Sequence, residues 1–280
     1  MTPCIWYVSD FRSPWEGLAI GNLAAAIRAR GVPLRVFVEG GTANIRAEGV
    51  VSWNSLTLFE RLLTVCFRGK LWHLWGKPPL WWGIVRLRAR TVQTSLDASV
   101  DWKGHPTRLL PEQVREGEYL IKPTFEVKVW TENGAEEDAS TVLSTLEIGA
   151  AEDALTALGL KSLSPSETNA ESVLKKGGLL LAGDGPSDVL LAAFLSMQGL
   201  PVVALSTPVL QAVLGKGGYV PVAENTPESW KKAIETALSD EGRSVSASAR
   251  RFMKENYTAA DSAESLLKLY RSVSEGKSPD

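Results

Sequence analysis

Short apolar runs alternate with longer amphipathic stretches along almost the whole chain, and this rhythm limits the folds open to it. CIWYV (4–8), LRVFV (34–38) and LWHLW (71–75) read as buried strands, followed by a strand at 91–96. Between the first two, SPWEGLAIGNLAAAIRARG is a loop leading into a helix that closes at Gly31, a residue suited to a C-cap. Further helices are expected at 55–68 and 80–89. Crossovers of this length join parallel strands, so the first half is expected to be a parallel sheet with helices on both faces.

The second half repeats the rhythm. Strands are expected at 141–146, 178–183, 201–205 and 218–222, with helices at 150–158, 169–176, 187–198 and 207–214. Helices at 226–238, 243–255 and 258–273 close the chain. Thr226-Pro227 supplies an N-cap and a first-turn proline. Between the halves, residues 97–118 read as irregular and polar, 118–122 as a strand, and the Asn133-Gly134 pair as a turn. The boundary is placed there, giving domains 1–132 and 133–280. The expected fold class is α/β, with two Rossmann-like doubly wound domains in tandem and terminal helices on the second.

Composition narrows the partners. A net charge of −2 lacks the basic surplus that binds a phosphate backbone, so nucleic acid is not expected. Cys4 and Cys66 lie in apolar stretches without metal-ligand spacing or the density of a disulfide scaffold, which fits a reduced cytoplasm. Neither a metal nor a cofactor is called for. No secretory segment follows Met1, and no apolar run reaches the roughly 18 residues that cross a bilayer. One segment stands out: residues 71–85 hold four of the ten tryptophans, beside Lys77 and Arg86, Arg88 and Arg90. Buried aromatic packing explains it, and so does docking of the 71–85 segment on a membrane surface, with Trp81 and Trp82 the residues to change in a test.

The stretch from Gly199 to Tyr270 resembles a known family. GLPVVAL, then GKGGYVPVAENTPESWKKAIETALSDEGRSVSASARRFMKENYTAADSAESLLKLY, has the order and spacing of the C-terminal half of the group-1 nucleotide-sugar-dependent glycosyltransferases of the GT-B fold. EVKVWTENGAEED resembles that family's interdomain strand and turn, and WEGLAIGNLAAAIRARGV its N-terminal Gly-rich acceptor loop and first helix. The resemblance implies a GT-B architecture, with an acceptor-type domain at 1–132, a donor-type domain at 133–280 and a cleft between them. It also implies a nucleotide-sugar or glycan ligand.

The same resemblance exposes departures. The family's Glu-x7-Glu pattern falls on Pro186 and Phe194, neither of which accepts a hydrogen bond through its side chain. The loop matching the family's Arg and Lys diphosphate clamp is STLEIGA (144–150), with Glu147 and no base. Where the family often has Thr-x-His-Asp, this chain has Thr94, Leu96 and Asp97. A degenerate donor site is therefore expected, with a role in binding or in partnership with an intact glycosyltransferase. An active transferase with a non-standard donor site is the alternative.

Candidate donor-side residues are Gly183, Asp184, Gly185, Ser187 and Asp188, on a turn whose helix amides would hold an anion. The same residues also read as a plain helix cap, with Asp184 or Ser187 accepting from early helix amides. Acceptor-side candidates are Asp10, Gly17 and Asp97. No residue is assigned a catalytic role. His73 reads as a satisfied core histidine, His105 as solvated, and Lys175 and Lys176 as cations at a helix end.

Overall fold

The computed structural model describes residues 3–9, 14–39, 49–67, 71–95, 105–108, 119–123, 125, 141–146, 149–165 and 178–276. The chain divides into two units, one formed by Met1–Thr124 with Ala259–Asp280 and the other by Phe125–Thr258.

The first unit contains strands β1 (Cys4–Val8), β2 (Leu34–Val38), β3 (Val50–Ser52), β4 (Leu71–Trp75), β5 (Arg90–Thr94), β6 (His105–Arg108) and β7 (Tyr119–Leu120). Its helices are α1 (Pro14–Ala29), α2 (Leu58–Phe67) and α3 (Trp82–Arg88). The sheet order β3-β2-β1-β4-β5-β6-β7 is parallel throughout. It reverses direction between β1 and β4, as in a dinucleotide-binding sheet.

The two-residue period of β1 sorts its side chains onto two cores. Cys4, Trp6 and Val8 join Ile20, Leu23 and Ile27 of α1 on one face, whereas Ile5 and Tyr7 meet Trp53, Trp72 and Trp82 on the other. The aromatic packing expected of the tryptophan-rich segment is what forms. Trp72, Trp75 and Trp82 are buried, and Trp81 stacks on Trp53 at 5.0 Å between ring centres. Trp82 is thereby withdrawn from the surface, and Trp81 is half-buried.

The second unit contains β8 (Thr141–Ser144), α4 (Ala150–Ala157), β9 (Lys161–Leu163), β10 (Leu179–Ala182), α5 (Pro186–Met197), β11 (Val202–Leu205), α6 (Pro208–Leu214), β12 (Val220–Val222), α7 (Pro227–Ala237) and α8 (Asp240–Asn256). Its parallel order β12-β11-β10-β8-β9 is the other common doubly wound arrangement, reversing between β8 and β10. Thr226 accepts from the Ser229 amide at the start of α7, with Pro227 following, as its sequence predicts.

Three expectations need correction. Residues 97–118 are not wholly irregular, because β6 adds a strand beside β5. Short edge strands β3 and β9 also form where no strand was read. The last helix, α9 (Ala259–Glu275), does not belong with the domain placed at 133–280: Ala263, Leu266 and Val273 enter the core of the first unit, beside Trp6 and Ile27. The 132/133 boundary, the Asn133-Gly134 turn and the helix expected at 169–176 lie outside the described residues.

α9 is fastened by a buried chain of hydrogen bonds whose direction follows from its far end. The Gln93 carbonyl can only accept, so the Thr107 hydroxyl donates to it at 3.1 Å. Thr107 Oγ1 must then accept from the Thr94 hydroxyl, and Thr94 Oγ1 from His73 Nε2–H at 2.6 Å. Burial holds His73 well below the usual imidazole range, so the ring is neutral and its Nδ1 accepts from the Tyr270 hydroxyl at 2.6 Å. Trp6 Nε1–H completes the series by donating to Tyr270 at 2.7 Å. His73 is thus the satisfied core histidine its apolar setting implies.

Candidate functional site in the second unit

In a doubly wound sheet, ligands meet the protein at the carboxyl ends of the strands where the strand order reverses. In the second unit that place lies beyond β8 and β10, and all five donor-side candidates lie there, on the turn after β10 and the first turn of the helix that follows. β10 ends at Ala182, the chain turns through Gly183, Asp184 and Gly185, and α5 begins at Pro186. The proline suits a first helical position, whose amide would have no partner within the helix.

Asp188 governs this turn. Its carboxylate accepts from the Gly185 amide and the Thr145 hydroxyl, while Thr145 Oγ1 accepts from the Gly183 amide at 2.8 Å. The loop after β8 is thereby tied to the loop after β10. An acid three residues into a helix that reaches back to the N-cap amide is one half of a capping box. The two glycines leave room for it, since a Cβ at Gly183 would lie 2.5 Å from Asp188 Oδ2 and one at Gly185 3.0 Å from it. The cap therefore exists, and Asp188 supplies it at the Gly185 amide. The Gly185 N-cap has no side-chain cap bond.

Electrostatics follow from the same geometry. Burial pushes the Asp188 carboxyl up. The Gly185 and Thr145 hydrogen bonds pull it down in part, and neighbouring Asp184 adds repulsion. Asp184 is exposed beside it. Two acids at a helix N-terminus already complement its dipole and oppose a further anion.

Behind its first turn α5 is buried on every side, from Val189 to Met197. Phe194 is fully buried and meets Phe125 edge to face, with ring centres 5.0 Å apart. The second acid position implied by the resemblance therefore falls inside the core, and Pro186 holds the helix start. Only residues up to Asp188 at this end of α5 lie outside the core.

The described loops beyond the carboxyl ends of all five strands hold Thr145, Ser164, Asp184, Ser206, Thr207, Glu224, Asn225 and Thr226, and no lysine or arginine. The described bases of the second unit stand elsewhere: Lys161 opens β9, Lys216 precedes β12, and Lys231, Lys232, Arg243, Arg250, Arg251 and Lys254 are on α7 and α8. Glu147, Lys175 and Lys176 lie outside the described residues. No group of acids, histidines and cysteines able to hold a metal occurs among the described residues.

In the first unit the acceptor-side candidates fare differently. Asp10 and Asp97 lie outside the described residues. Gly17 is not in a loop: α1 starts at Pro14, and Gly17 is buried within it. Glu16, missed in the sequence, is a nearly fully buried acid in the first turn of α1, just after β1. Its signal was present, an acid close behind the first buried strand, but it reads as an ordinary first-turn residue. Ser9 donates to the Lys77 carbonyl across the reversal between β1 and β4. His105 is in β6, and its side chain is outside the description.

No protein-family model matches the chain, and no curated protein matches it. Solved structures do. AviGT4, a glycosyltransferase involved in avilamycin A biosynthesis, is similar over 99% of this chain and 100% of its own, at 13% identity and a TM-score of 0.62. S. aureus MnaA, solved with UDP, matches over 96% of both chains at 11% identity and a TM-score of 0.59. A UDP-N-acetylglucosamine 2-epimerase matches over 100% of this chain and 99% of its own, at 10% identity and a TM-score of 0.59. At these identities the likeness is one of fold. The chain has the GT-B fold, with two Rossmann-like units, and resembles the nucleotide-sugar glycosyltransferases built on it.

Proposed function

We propose that this chain is a glycosyltransferase-like GT-B protein whose donor-type unit has lost the usual hold on a nucleotide sugar. It acts as a binding or partner protein in a glycosylation pathway, beside an intact transferase. The observation that carries this reading is the rim of the second sheet: its described loops offer hydroxyls, Asp184 and Glu224, but no cation. A diphosphate leaving group needs cationic or amide donors to stabilise its developing charge. Asp188 is already engaged by Gly185 and Thr145, and the second acid of the family's Glu-x7-Glu pattern is replaced by the buried Phe194.

A second reading has one observation in its favour. The 12-residue helix α5 begins at the reversal of strand order, and in this reading its first amides, with Ser187 or Asp188, would hold the donor's phosphate or sugar. It corresponds to an active transferase with a non-standard donor site. UDP, the nucleotide held by S. aureus MnaA, is a natural probe. Titration calorimetry with UDP, GDP and their sugars, with donor hydrolysis followed in parallel, separates the two. The binding-partner reading expects neither heat nor hydrolysis, whereas micromolar binding overturns it.

A further inference from the structure

The first unit exposes large apolar side chains where its sheet and helices do not need them. On α2, Leu58, Phe59 and Leu62 are 74%, 68% and 52% exposed, and at α3, Leu80, Ile84 and Leu87 are 106%, 46% and 88% exposed. The two helices pack against each other. Helical periodicity sets Ile84 and Leu87 opposite the buried Trp82 and Val85, and Leu80 is exposed in the turn that leads into the helix. Six such side chains on neighbouring helices form a patch of the kind that marks an interaction surface.

Its charge identifies the occupant. Between Thr57 and Arg90 the sequence has seven Lys or Arg and one acid, in a chain whose net charge is −2. The acid, Glu60, is engaged in a capping box: its carboxylate accepts from the Thr57 amide at 2.8 Å, and Thr57 Oγ1 accepts from the Glu60 amide at 3.2 Å. Arg86 and Arg88 fall at the two borders of the apolar side of α3, and Lys77 precedes it. All three are exposed, and no acid pairs with them among the described residues. An apolar strip bordered by bases fits the boundary between acyl chains and anionic headgroups. A second copy fits poorly, because a two-fold interface would set this basic border against itself.

We propose that the exposed side of α2 and α3 is a docking face for an anionic lipid bilayer, with Leu80, Ile84 and Leu87 entering the interface and Arg86 and Arg88 contacting headgroups. The inference is independent of the nucleotide reading, since calorimetry with nucleotides does not sense it. It differs from docking through Trp81 and Trp82, which help build the core beneath.

Flotation of the full chain with phosphatidylcholine vesicles, with and without an equal part of phosphatidylglycerol, tests it. Binding is expected with the anionic vesicles only, and released by high salt. Arg86→Glu with Arg88→Glu should weaken it more than about tenfold, at about fivefold per removed base contact. Leu80→Ser with Leu87→Ser should weaken it by about tenfold or more. These side chains are exposed, so thermal unfolding should not change. Failure of the wild-type chain to float, or equal flotation of wild type and both variants, overturns the proposal. So does a wild-type dimer by light scattering that the leucine changes convert to monomer.

Discussion

The most constrained side chains are those that titrate in the core. His73 must stay neutral to accept from Tyr270, and its protonation in the folded state is suppressed well below 6.5. The unfolded chain then binds a proton that the native one does not, so stability is lost as pH falls through about 6.5, with a slope of up to about 1.4 kcal/mol per pH unit. Urea unfolding of wild type and His73→Gln at pH 7.5 and 5.5 checks this, and the variant should lose the part of the slope due to His73. Tyr270→Phe leaves both Trp6 Nε1–H and His73 Nδ1 unpaired, and should cost about 2–4 kcal/mol at neutral pH. Burial pushes the Cys4 thiol up to about 12, whereas Cys66 is only half-buried. Native-state alkylation followed by mass spectrometry should label Cys66 alone, with Cys4 reacting only after unfolding. Much of this was legible in the sequence: His73 within LWHLW could be little else than core. Its partners were not, because Thr94, Thr107 and Tyr270 come from separate elements and only the folded sheet brings them together.

At the level of elements, the start of α5 joins local chemistry to the functional question. Asp188→Ala removes the acceptor for the Gly185 amide and the Thr145 hydroxyl, and should destabilise by about 1–2 kcal/mol. Asp188→Asn keeps a carbonyl oxygen there and removes a charge facing Asp184. Because the folded carboxyl is raised above 3.8, the stability linked to this group is present below that pH and is lost as pH rises through the folded value. Asp188→Asn should therefore equal or exceed wild type at pH 7, with the difference shrinking towards pH 4, as read by thermal unfolding. The sequence showed that this turn needs a cap, but not which side chain provides it, since Asp184, Ser187 and Asp188 are all close enough to the helix start. Strands were legible wherever an apolar run was continuous, as in CIWYV and VVAL. HPTR and KSL escaped because short polar strands carry no apolar period of two, whether inside the sheet like HPTR or at its edge like KSL. The acceptor loop read into WEGLAIG proved to be helix for a related reason: glycines at 17 and 21 resemble a loop, yet the buried face they share with Leu18 and Ile20 favours the helix.

For the whole molecule, the decisive fact is that the first unit is discontinuous in sequence. Its core takes Leu266, Leu269, Tyr270 and Val273 from α9, after the chain has passed through all of the second unit. A chain ended after Thr258 should lose the cooperative unfolding of the first unit, seen as a missing transition in calorimetry, while residues 125–258 alone should keep theirs. A helix at 258–273 was legible from its apolar period, but adjacency put it with the second half. Partnership across the chain cannot be read from local period alone. During synthesis this order has a temporal cost. The amino-terminal half leaves the ribosome with one face of its sheet covered by α1 but not yet by α9, and waits, on the order of ten seconds at 5–20 residues per second, for the segment that completes it. Through that interval Trp6 and Leu266's future neighbours are open to solvent, and chaperone capture of the nascent chain would be strongest just before Tyr270 emerges.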